Sequence, residues 1–138
     1  MINKNHELKV LLYNFTDEDK LTKLQALLTK MKLNPIVVAF DDYNQKVGYL
    51  FGLRGFKEHT NENQENDFVC DHELMMFYGF NKERLDNLLR AMRNDGIEVP
   101  ACKAVVTSFN RFWSIRRVYE TMKKGHLKEK LQKEEGNF

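Results

Sequence analysis

Seven apolar residues in the first half of the chain recur in the second at an almost fixed distance. Leu12 and Phe15 have counterparts 65 residues on, at Phe77 and Phe80. Leu21, Leu24, Leu28, Leu33 and Val38 have theirs 64 residues on, at Leu85, Leu88, Met92, Ile97 and Cys102. One spacing that holds through strand-like and helix-like segments alike predicts two strand-helix-strand-helix repeats, over about residues 7–55 and 73–124, joined by an acidic loop at 56–72. The alternative is coincidence between two generic amphipathic segments.

The elements follow from local pattern. Residues 7–13 and 36–40 read as strands in the first half, and 73–78 and 101–106 in the second. Thr16 and Asp17 are placed to cap a helix whose inner face is Leu21, Leu24, Leu28 and Met31, with Pro35 as its stop. Asn81 opens the corresponding helix on Leu85, Leu88, Leu89 and Met92, and Asn94, Asp95 and Gly96 close it. A last helix is expected to open near residues 107–110 with Phe112, Ile115, Tyr119 and Met122 inward, and Gly125 interrupts its pattern. Residues 41–53 are a weaker echo of it, with Tyr43, Val47, Leu50 and Phe51 at helical spacing.

A strand-helix-strand unit crosses over right-handedly and makes its two strands parallel. Neither half can bury a two-stranded sheet alone, so both are expected to share one four-stranded sheet with helices packed on it. The fold class is therefore α/β, ferredoxin-like in spirit, as a single domain over residues 1–138.

No apolar run approaches the ~20 residues of a membrane helix, and the first 12 residues lack the apolar segment of a signal peptide. A cytoplasmic protein without membrane contact is the expectation. Cys70 and Cys102 are too few for a disulfide framework and read as buried thiols near strand ends. Net charge is only +2, but its distribution is uneven. Residues 58–73 carry six acids and no Lys or Arg, a polar and mobile connector on this reading, whereas residues 111–133 carry eight Lys or Arg against two Glu. The basic helix has a natural partner in the acidic connector, within the molecule or in a second copy.

Lys103, Ala104, Val105, Val106 and Thr107, followed by Asn110 and Trp113 and preceded by the Leu-rich helix and Gly96-Ile97, resemble a small bacterial family, domain-of-unknown-function family 3783. The likeness covers about residues 73–121, and Ser108-Phe109 is bulkier than the pair that the family pattern has there. The resemblance implies a domain boundary and a choice of residues, and it supplies no reaction.

The candidate ligand site is the junction at residues 107–111. A helix opening there would leave N–H groups and partial positive charge for a small anion, phosphate or carboxylate, with Lys103, Thr107, Ser108, Asn110, Arg111 and Trp113 around it. The plainer reading makes Thr107 or Ser108 a cap, Asn110 a loop tie and Trp113 a packing plug. Nucleic acid would use Arg111, Arg116, Arg117, Lys123, Lys124 and Lys128, with Phe109, Phe112 and Trp113 to stack on bases. Balanced charge and the usual fate of helix-spaced aromatics, the core, disfavour it. A metal would have to come from Cys70, His72 and Cys102 with Asp67 or Asp71, and no second close pair of ligands exists, so neither metal nor cofactor is expected. His6, His59 and His126 read as surface histidines, and no catalytic residues are assigned. The leading expectation is a binding or regulatory module, non-enzymatic, that forms a homodimer or meets another protein through sheet edges.

Overall fold

A computed structural model describes residues 7–135, with side chains through residue 125. The expectations for His6 and for the side chains of His126 and Lys128 lie outside the described residues.

Four strands, β1 (Lys9–Tyr13), β2 (Asn34–Val38), β3 (Leu74–Tyr78) and β4 (Cys102–Val105), form one sheet in the order β2-β1-β3-β4. The pairs β1–β2 and β3–β4 are parallel, and β1 meets β3 antiparallel with Leu11 opposite Met76. A parallel neighbour needs a long crossover, which α1 (Glu18–Lys30) and α3 (Lys82–Asn94) supply.

The central strands are apolar on both sides, so both sides must be covered. Val10, Leu12, Met75 and Phe77 meet Leu24, Leu28, Leu88 and Met92 of α1 and α3. Leu11, Tyr13, Leu74 and Met76 meet Val47, Ile115 and Tyr119 of α2 (Val47–Leu50) and α4 (Ile115–Glu135). The sheet is thus the middle of three layers, where a ferredoxin-like layout has its helices on one face.

Matching residues set the ends of α1 and α3. Asp17 Oδ1 accepts the Lys20 N–H at 3.1 Å, and Asn81 Oδ1 accepts that of Arg84 at 2.8 Å. Lys32 and Gly96 then turn left-handed at φ of 62° and 73°, so that Leu33 and Ile97 donate back to Leu28 and Met92, each at 2.8 Å. It is this turn, and not Pro35, that stops α1. Pro35 lies inside β2, an edge strand. Asn34 N–H points inward to Leu8 O at 2.9 Å, so by alternation the ring of Pro35 replaces an outward N–H.

Six of the seven offset pairs occupy matching positions, and Val38 with Cys102 does not. Cys102 lies opposite Leu74 as Asn34 lies opposite Lys9, because residues 98–101 are added ahead of β4.

Three further expectations are corrected. The last helix starts at Ile115, and residues before it form a 3-10 turn (Asn110–Phe112) and an extended Trp113. That turn advances fewer residues per revolution than an α-helix, so Phe112 leaves the inward stripe that Ile115 and Tyr119 keep. Gly125 does not interrupt α4.

The connector is also pinned rather than loose. Phe68 is buried beside Tyr43 and Tyr119, with ring centroids 5.0 and 5.8 Å away. The buried Gln45 side chain binds the backbone of His59 twice, accepting at 2.8 Å and donating at 2.6 Å. Tyr43 donates its O–H to Glu65 O, and Asn14 donates to Cys70 O and His72 O at 2.9 and 3.1 Å.

Candidate functional site

The chain leaves β4 at Val105 and must reverse before α4 can pack beneath the sheet. Thr107 and Asn110 make that reversal rigid. Thr107 Oγ1 accepts the N–H groups of Phe109 and Asn110 at 3.2 and 3.0 Å. Asn110 Oδ1 accepts the Thr107 N–H at 2.8 Å, and its Nδ2 donates to Val105 O at 2.9 Å. Arg111 sends both its N–H and its Nε–H to Thr107 O, at 3.3 and 3.0 Å. The donors that an anion would need at Phe109, Asn110 and Arg111 are therefore taken within the turn. The true start of α4 is capped separately by Ser114, whose Oγ accepts the Arg117 N–H at 3.1 Å.

Beyond the turn the two halves clasp. Val47 N–H reaches Trp113 O at 2.9 Å and Ile115 N–H reaches Gln45 O at 3.2 Å, on either side of a bridge between Lys46 and Ser114. Trp113 packs half-buried beside this bridge and carries the Arg117 guanidinium 4.3 Å from its ring. Phe109 and Phe112 face outward, 78% and 59% exposed, with Val105 37% exposed on the adjoining edge. Phe112 meets Phe56 at 5.2 Å between ring centroids, and the two rings line a cavity of about 340 Å³ with Lys46, Lys57, Glu58 and His59.

Not all the expected residues converge here. Lys103 lies near the opposite end of β4, where its Nζ donates to Pro100 O at 3.3 Å. Two of the α4 cations are engaged by the connector. Arg116 grips both oxygens of Asp67, at 2.8 and 3.2 Å, and adds Glu120 at 3.2 Å. Lys123 lies 3.4 Å from Asp71. Arg117 and Lys124 remain exposed on α4.

A second polar cluster fastens the end of the connector. Asp71 Oδ1 accepts the Tyr119 O–H at 2.6 Å and lies 3.0 Å from His72 Nδ1. The Tyr119 hydrogen bond, chiefly, holds the Asp71 carboxyl well below the usual carboxylate range. Burial and then Asp71 push the Tyr119 phenol well above its ordinary value. The thiol of Cys70 donates to His72 O at 3.3 Å, and burial raises both it and the buried Cys102 thiol. Among the described residues, no group of three or more His, Cys, Asp and Glu side chains is arranged to hold a metal ion. No helix among them is long and apolar enough to cross a membrane.

Residues 73–128 match the family model described as domain of unknown function (DUF3783). The likeness expected over residues 73–121 lies within that span, which holds β3, α3, β4, the locked turn and the first part of α4. Neither a curated protein nor a solved structure matches the chain. Outside the DUF3783 stretch, Phe56, Lys46 and Lys57 border the turn, and sequence reasoning overlooked all three. Gly48 was the available signal. A β-carbon there would lie 2.3 Å from the Phe56 ring, and a glycine within an otherwise helical pattern points to a packing reason of this kind.

Proposed function

We propose that this protein is a non-enzymatic binding module that holds its partner on the turn at residues 107–113. One observation carries the reading: Phe109 and Phe112 stand in solvent on a turn that its own hydrogen bonds already fix. Exposed rings on a fixed backbone bind with little ordering cost, and aromatic side chains supply much of the energy where surfaces meet.

The sheet edges support a homodimer less well. Pro35 removes a donor from the outer edge of β2, and Asn110 occupies the outward Val105 carbonyl of β4. A small anion at residues 107–111 is also less favoured, because the backbone donors there are in use.

The test is thermal unfolding of the Phe109→Ser variant, because Phe112 also packs on Phe56 and its loss would report on that contact. If the Phe109 ring serves binding, the midpoint stays within about 2 °C of wild type, since exposed positions without structural partners change stability by under ~0.5 kcal/mol. A fall of many degrees would assign the ring to the fold and overturn the reading.

A further inference from the structure

The turn is aromatic and cationic together. Lys46 and Lys57 border the cavity beneath Phe112, Arg111 is anchored on Thr107, and Glu58 is the one acid among the cavity residues. Phe109 stands just before the 3-10 turn and Phe112 at its end, both exposed, and Phe112 leans on Phe56. We propose that the partner is single-stranded nucleic acid, its bases stacked on Phe109 and Phe112 and its phosphates met by Arg111, Lys46 and Lys57. This rests on the reading of the turn as the contact surface.

Charge decides between occupants. A second copy docked on the same surface about a two-fold axis would bring the three cations of each protomer against those of the other. A polyanion meets them favourably, and every base has a face that an aromatic ring can stack on whatever its sequence. The basic length of α4 is a poorer groove, because Asp67 and Asp71 already engage Arg116 and Lys123.

The experiment is fluorescence anisotropy of the full chain with a labelled oligothymidylate of about twenty nucleotides, long enough to exceed a site of ~4 to 16. Three phosphate contacts give roughly a ten- to twentyfold loss of affinity as salt rises from about 50 to 200 mM. Phe109→Ala lowers affinity at least about fivefold, the loss of one stacked base. Lys46→Glu with Lys57→Glu flattens the salt dependence. Absence of binding at low salt would overturn the proposal, as would binding indifferent to Phe109→Ala. A glutamate-rich peptide that binds more tightly than the oligonucleotide and is lost with Phe109→Ala, or concentration-dependent self-association lost with it, would replace nucleic acid as the partner. Either result would leave the turn as the contact surface, which the unfolding measurement tests separately.

Discussion

Thr107 and Asn110 cap each other: the Thr107 hydroxyl accepts the Asn110 N–H at 3.0 Å while the Asn110 carbonyl oxygen accepts the Thr107 N–H at 2.8 Å. The pair closes the loop between β4 and α4 ahead of the first turn of α4, and it sets Phe109 between its two members.

Removing either cap should therefore cost more than an exposed position usually does. Thr107→Ala and Asn110→Ala are each expected to lower stability by about 1 kcal/mol, as for other capping side chains. Urea unfolding measures this, and Thr107→Ser, which keeps the hydroxyl, should retain most of the stability. Equal stability for Thr107→Ala and wild type would show that the turn is held by its flanking elements alone.

Aromatic packing, and not the ion pair, should hold the connector. Phe68 is buried against Tyr43 and Tyr119, so Phe68→Ala is expected to cost about 3 kcal/mol. Asp67 is exposed, so Asp67→Asn should lower stability far less than Phe68→Ala does, with the effect shrinking in salt. Denaturant midpoints at low and high salt separate the two, and a larger loss from Asp67→Asn would reverse the order argued here.

Stability should fall at both ends of the pH scale for identifiable reasons. Asp71 titrates lower in the folded protein than in the unfolded chain. Its contribution is present above the ordinary carboxylate range and is lost as pH falls through and below it. Tyr13 and Tyr119 titrate higher when folded, mainly through burial, so their contribution is complete below about pH 10 and is lost above it as the unfolded tyrosines ionise. Tyr119→Phe removes one of these two phenols and the hydrogen bond to Asp71. Its unfolding midpoint should vary less with pH at both extremes, and an unchanged alkaline slope would exclude Tyr119 as a cause.

Gly48→Ala should be destabilising by about 1 to 3 kcal/mol, the usual range for overpacking, because the new carbon meets the Phe56 ring. Phe56→Ala in the same chain should recover part of that loss. Additive costs in the double variant would mean that ring and glycine do not compete for the same space.

The apolar pattern made much of this architecture legible before any coordinates. Asp17 and Asn81 mark helix starts through the chemistry of their side chains, and Leu24, Leu28, Leu88 and Met92 recur at the helical period because one side of each helix must leave water. The turn was legible only in part. Thr107, Asn110 and Trp113 could be chosen from sequence, yet Phe112 was assigned to the core because a 3-10 turn and a longer helix share the same local composition.

By itself the sequence determined the four strands, the two crossover helices and most of the apolar residues they hide, since these follow from interactions within a few positions along the chain. Tertiary structure decided where Phe56, Lys46 and Lys57 come to lie beside Phe112, that Asp67 and Asp71 meet Arg116, Tyr119 and Lys123, and that helices cover both faces of the sheet. Those contacts join segments far apart in the chain. Their selection depends on how whole layers pack, and no local period records that.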